Sequence, residues 1–298
     1  MALPSYATPV QRTYYYAYLF FCGVVFFFLI APLIAIVPIS FSVSPFMVFT
    51  DGMLAWPPDP EAWSLRWYKN MIGDCSADVV SSTVPCSTKW MTGTINSFFI
   101  GLVSTAIATG LGTLAALGLS RPHMPYKGLI MSILISPMIV PLIITAAGMF
   151  FFYARINLVY TFTGVILAHV ALATPFVVIT VTATLVGFDM NMVKAAQSLG
   201  AKPLRTFFKV IMPLILPGII SGALFAFITS FDEVVIVMFM ASLDQLTIPK
   251  QMWAGIRQEI SPVILCMATC LVVLSIVLLS TVELLRRRAE KLRGISQR

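Results

Sequence analysis

The stretch Asp189–Pro217, DMNMVKAAQSLGAKPLRTFFKVIMPLILP, interrupts with charge and turn signals a chain that is otherwise nearly all hydrocarbon. Asp189 suits the cap position before a short helix. Gly200 suits a left-handed stop after it, and Pro203 stands where a second helix can open. Lys194, Lys202, Arg205 and Lys209 crowd the segment before the chain turns apolar again at Val210. The expected form is two short helices at a bend, the first kept thin on one side by Ala195 and Ala196. An ordinary charged loop is the bland alternative, and the length and regularity of the stretch weigh against it.

The surrounding composition makes this a membrane protein. Of 298 residues, 59% are hydrophobic and 10% charged, against about 25% charged in soluble domains. Six stretches without formal charge are long enough to cross a bilayer core of ~30 Å: inside 13–50, then 90–120, 128–154, 156–188, 210–231 and 260–282. Each has to be helical, because lipid offers no partner to an open backbone group. The expectation is an all-α, polytopic chain: a single transmembrane domain over 1–298, with spans near 17–39, 94–119, 129–153, 162–186, 210–232 and 263–284. The first run is too long for a signal-peptide core and reads as a retained span.

Lys and Arg set the orientation. With a cytoplasmic N-terminus, the inner segments hold Arg12, Arg121, Lys127, Lys194, Lys202, Arg205, Lys209, Arg286, Arg287, Arg288, Lys291, Arg293 and Arg298. The outer segments hold Arg66, Lys69, Lys89, Arg155, Lys250 and Arg257. Thirteen against six favours both termini inside, and segment 189–209 then lies on the cytoplasmic face. The net charge of +7 belongs to these loops. No basic face is interleaved with aromatics as single-strand binding requires, so nucleic acid is not an expected partner.

The outer loop, about 41–90, contains TDGMLAWPPDPEAW from Thr50 to Trp63, irregular in pattern and supplied with aromatic anchors. Cys75 and Cys86 lie further along it. In an oxidising compartment they would close a small disulfide loop; two unpaired thiols are the alternative. Cys22, Cys266 and Cys270 fall within spans and read as small apolar residues. In the second span Gly101, Thr105, Ala108, Gly112 and Ala115 form a thin stripe that lets helices approach. Pro137 and Pro141 in the third span and Pro175 in the fourth predict kinks.

Few residues carry chemistry. His123 and His169 are the only histidines, no Cys/His spacing fits a metal, and no G-x-x-x-x-G-K-[ST] phosphate loop occurs. The chain does not read as an enzyme, and no cofactor or metal is expected on it. His169 reads as a packed or interhelical hydrogen-bonding residue. The acids to examine are Asp232 and Glu233 in ITSFDEVVIVMF, at the outer end of the fifth span. Ionisable residues near a bilayer usually face a water-filled path or a partner. Gly218, Gly222, Phe225, Thr229 and Asp232 recur at helical spacing, so Thr229 and Asp232 share a face, with Glu233 about 100° further round. The alternatives are a cation-attracting translocation path and an interfacial acid pair, hydrated or salt-bridged.

At segment 189–217 the sequence resembles the permease subunits of binding-protein-dependent ABC importers. Their signature is Glu-Ala-Ala, three residues, Gly, nine residues, then Ile-x-Leu-Pro. Here it reads Lys194-Ala195-Ala196, Gly200 and Val210-Ile211-Met212-Pro213 at the same spacing. SLRWY (Ser64–Tyr68), LGAKPLRTFF (Leu199–Phe208) and SFDEVVI (Ser230–Ile236) are similar to the second permease of spermidine/putrescine importers.

The resemblance implies a type I ABC importer permease fold. It implies an inner-membrane subunit that moves a small, cationic solute such as a polyamine by alternating access. Its coupling helix would dock on the ATPase through Lys194, Ala195, Ala196, Leu199 and Gly200. It further implies a second permease as a heterodimeric partner, two ATPase subunits carrying the ATP and Mg, and a periplasmic substrate-binding protein. Lys194 stands where the family has Glu, reversing one charge at the dock. Other solutes of the same family (an opine, an amino-acid derivative, another amine) remain alternatives. Two rival classes are an ion-driven secondary transporter, which calls for internal repeats with interrupted helices, and a receptor or scaffold that moves nothing.

Overall fold

The computed structural model describes residues 8–74, 76, 88–121, 123–186, 191–258 and 260–292. Among them the chain is helical, with one isolated bridge, Ser42 to Trp63, in place of any strand. Cys75, Cys86 and Asp189 lie outside the described residues, and with them the possible disulfide and the expected aspartate cap. Contacts group the chain into two compact units: Met1–Ser87 with Gly255–Val282, and Thr88–Ala254 with Glu283–Arg298.

In the first unit, α1 (Pro9–Ile39) opens on a capping box. Thr8 Oγ1 accepts from the Gln11 N–H at 3.3 Å, and the Thr8 N–H donates to Gln11 Oε1 at 3.0 Å. No α1 residue is buried. A helix that is apolar all round and unburied is matched to a hydrocarbon solvent. After Ser40 the chain makes α2 (Asp51–Leu54), a 3-10 turn (Pro60–Ala62) and α3 (Arg66–Met71). Trp67 of α3 is completely buried, and its indole N–H donates to Ser42 O at 2.8 Å. The Tyr68 hydroxyl meets Ser40 Oγ at 2.7 Å.

The second unit is built on three helices: α4 (Lys89–Leu119), α7 (Phe162–Val186) and α10 (Met212–Phe231). They pack because small residues let their backbones meet. A side chain at Gly112 would collide with Val177, one at Gly218 with the Thr184 hydroxyl, and one at Gly222 with Thr180 and the Val177 backbone. Ala108, Ala116, Ala173, Val177, Val181 and Ala226 fill the seam at 0% exposure. Between α4 and α7, the third stretch is broken. It forms α5 (Lys127–Ile139) and α6 (Leu142–Arg155), bent by 102° where Pro141 cannot continue the helix. The kink predicted from Pro137 and Pro141 is therefore a full corner, whereas Pro175 sits inside α7 without ending it.

Beyond α7 come α8 (Asn191–Ser198) and α9 (Pro203–Thr206). A five-residue π turn, Phe207–Ile211, carries α9 directly into α10, so the helix of the fifth stretch runs unbroken from Pro203 to Phe231. It stops there. Two further helices follow, α11 (Val235–Met240) and α12 (Ile248–Gln258), before α13 (Val263–Leu292). Among the described residues, five helices are long and apolar enough to cross a membrane, or six if α5 and α6 are counted as one broken span.

Candidate functional site

Two places gather the residues singled out from the sequence. The first is the α8–α9 knuckle. Leu199 N–H donates to Ala195 O at 3.1 Å, Gly200 N–H to Gln197 O at 2.9 Å, and Ala201 N–H to Ala196 O at 3.0 Å. The last two bonds form a Schellman motif around Gly200, whose φ of +77° is left-handed. A Cβ there would meet nothing within 4 Å, so glycine is required by backbone conformation and not by crowding. Pro203 opens α9 at its first position. Lys194, Ala195, Leu199 and Gly200 are exposed and Ala196 half-buried. Leu199 is 89% and Leu204 74% exposed, and Phe208 and Met192 also face out. The knuckle is thus a hydrogen-bonded bend with apolar side chains set among four cations.

The second place is the end of α10. Asp232 is the residue after the last helical turn, its N–H donating to Ile228 O at 3.0 Å, and it is exposed. Glu233 is buried at 7% exposure. Its Oε1 accepts from the Ile236 N–H at 2.9 Å, capping the N-terminus of α11. Burial pushes the Glu233 carboxyl above its ordinary value, with bonds from the Ile236 and Val235 N–H groups opposing and Asp232 adding to the rise. The pair expected from the sequence is therefore split into one outward acid and one structural acid. Thr229 is half-buried one turn below Asp232. Along α10 the expected stripe holds as far as Phe225: Gly218 and Gly222 face α7, and Phe225 stacks on Phe176 of the same helix at 6.4 Å.

Polar residues with no local sequence signal hold the elements that follow Asp232. Lys250 Nζ donates to Ala241 O at 2.9 Å and Val237 O at 3.3 Å, closing the C-terminus of α11; burial holds its ammonium below the ordinary lysine value. Asn96 Nδ2 donates to Asp244 O at 2.8 Å and Leu246 O at 2.9 Å, and Ser97 Oγ accepts from the Ile248 N–H at 2.8 Å. Two polar residues of α4 thereby clamp the loop between α11 and α12. His169, 1% exposed, meets Ser230 Oγ through Nδ1 at 2.8 Å, an interhelical bond between α7 and α10. Among the described residues, no group of three or more His, Cys, Asp or Glu is placed to hold a metal ion.

Comparison with known proteins places this architecture. Residues 108–291, more than half of the chain, match the family described as the inner membrane component of binding-protein-dependent transport systems. The spermidine/putrescine transport system permease protein PotC of Haemophilus influenzae is 27% identical over 268 residues, 90% of this chain and 95% of that one. The putrescine transport system permease protein PotI of Escherichia coli is 29% identical over 252 residues, 82% of this chain and 81% of that one. A chain from the crystal structure of a bacterial ABC transporter involved in alginate import superposes with a TM-score of 0.71 over 94% of this chain, at 14% identity. That likeness speaks for the fold, an ABC importer permease fold. On the family match, this chain belongs to the inner membrane components of binding-protein-dependent transport systems.

Proposed function

We propose that the chain is the permease subunit of an ATP-driven importer for polyamine-class cations. The observation that carries the reading is the Gly200 knuckle. A hydrogen-bonded bend with exposed Leu199 and Leu204, inside the stretch that matches the family, is suited to docking an ATPase. Lys194, Ala195, Ala196, Leu199 and Gly200 form the contact, and the ATP and Mg stay on the partner. Lys194 gives the dock a positive charge at its rim. A second permease completes the cavity, a substrate-binding protein delivers the solute, and two ATPase subunits drive alternation between outward and inward access. The positive-charge distribution supports an inner-membrane orientation with both termini cytoplasmic.

The substrate class rests on the names of the relatives and on Asp232, an exposed carboxylate beyond the last turn of α10. There it adds negative charge to the negative end of the helix dipole, which attracts a cation entering the path. Thr229 lies on the same end of α10, and Glu233 acts by fixing α11 behind Asp232. The testing experiment is uptake of labelled putrescine into proteoliposomes holding the chain with its partner subunits. Uptake should require ATP, and Asp232→Asn should raise the substrate concentration needed without loss of assembly. Uptake that persists without the ATPase would favour an ion-driven carrier instead.

A further inference from the structure

In the first unit a hollow of about 550 Å³ opens beside the end of α1, lined by Phe41, Trp63, Ser64, Leu65, Arg66 and Lys69. Two bonds made by Ser40, the neighbour of the lining residue Phe41, tie this point to α3 and α13. Ser40 ends α1 and meets the Tyr68 hydroxyl of α3 at 2.7 Å. The Cys266 thiol, in the first turn of α13, donates to Ser40 O at 3.3 Å. Two helices long enough to cross a bilayer, Pro9–Ile39 and Val263–Thr281, thus terminate at this point, which puts the hollow at headgroup level.

The lining has two characters. Trp63 and Leu65 are exposed at 40% and 58%, and the Phe41 ring lies 5.0 Å from that of Tyr68. Arg66 and Lys69 are three residues apart on α3 and share a face, the Arg66 guanidinium 4.9 Å over the Trp67 ring. Both cations make other contacts within the chain. A guanidinium has five donors and an ammonium three, so an internal partner does not exhaust either.

We propose that this hollow binds the phosphate of an anionic phospholipid, with Arg66 and Lys69 on the phosphate and Trp63 and Leu65 against the adjoining acyl region. Charge complementarity and the depth set by the two helix ends favour a lipid over an acidic protein segment. The site does not depend on which solute the transporter moves; only its test rests on the assembly proposed above.

The test uses the assembled transporter in phosphatidylcholine nanodiscs titrated with phosphatidylglycerol, with bound lipid counted by native mass spectrometry. Arg66→Gln and Lys69→Gln should each weaken retention about fivefold and together about twenty-five-fold, given the usual worth of a basic residue at a membrane surface. The charge-preserving pair Arg66→Lys and Lys69→Arg should restore most of it. Unchanged retention in the double Gln variant would overturn the proposal. So would equal displacement by glycerophosphoglycerol, which would make it a site for free phosphate. Loss of binding-protein association with unchanged lipid retention would assign the hollow to an acidic protein partner, again overturning it.

Discussion

Glu233 and Lys250 close the two ends of one six-residue helix, the acid at the N-terminus of α11 and the base at its C-terminus. The carboxylate accepts from the Ile236 N–H at 2.9 Å and the ammonium donates to Ala241 O at 2.9 Å. The Lys250 charge complements the helix dipole at the C-terminus, and the Glu233 carboxyl serves the N-terminus as a hydrogen-bond acceptor. A helix this short does not hold itself together in water, so the two caps, with the burial of Ile236, Val237 and Met240, are what define it.

Replacing Glu233 by Ala should lower stability by about 1 kcal/mol, the usual worth of such a cap, whereas Gln keeps an acceptor and should cost less. Thermal unfolding of purified protein separates the two variants. The pH dependence has a definite sign. Burial raises the Glu233 carboxyl, so the folded chain holds this proton more tightly than the unfolded chain. Its stabilising contribution is full below the ordinary glutamate range and is lost as pH rises through the folded-state value. In Glu233→Gln that slope should vanish, and an unchanged slope would remove the assignment.

Gly218 and Gly222 let α10 lie against Thr184 and Thr180 of α7. Valine at either position should destabilise by about 1–3 kcal/mol through overpacking, seen as loss of a monodisperse species on size-exclusion chromatography. At Gly200, where a Cβ finds open space but φ is +77°, alanine should cost about 1–2 kcal/mol in the local helix stop and leave the core intact.

Ser230→Ala removes the partner of His169 Nδ1. The other ring nitrogen, Nε2, is buried without a hydrogen bond, so this variant leaves the whole imidazole unsatisfied. A loss of about 1–3 kcal/mol is expected. A double-mutant cycle with His169→Phe should show strong coupling between the two positions; additive losses would mean that the bond contributes nothing.

Asn96→Leu should free the loop that Asn96 and Ser97 hold. Hydrogen exchange at the Ile248 N–H, which donates to Ser97 Oγ, should speed up along with its neighbours, while exchange in the middle of α7 stays slow.

The spans and the knuckle were legible because their signals are local. Long uncharged runs can only be helices in lipid, and Gly200 with Pro203 marks a bend by backbone chemistry alone. What lay beyond Phe231 was not legible. The run VVIVMFM is short and apolar, and nothing in its own sequence says that it forms a separate helix; the caps come from Glu233 beside it and from Lys250, 9 residues beyond Ala241. The same limit hid Asn96 and Ser97, whose partners lie 148 to 151 residues away. The 3.6-residue period already set Asp232 and Glu233 about 100° apart; what it could not show is that the helix ends at Phe231 and that Glu233 is buried capping the next one.

The proposed ATPase dock at Gly200 is put to the test by Gly200→Leu in the assembled transporter, reading ATPase co-purification and ATP-driven putrescine uptake on the same preparation. A leucine in the left-handed position should open the α8–α9 bend and displace Leu199 from the proposed dock. The variant subunit should be folded and membrane-inserted, and should either release the ATPase or let it hydrolyse ATP without moving putrescine. Full co-purification with uptake and hydrolysis coupled as in the unaltered protein would contradict the proposed dock.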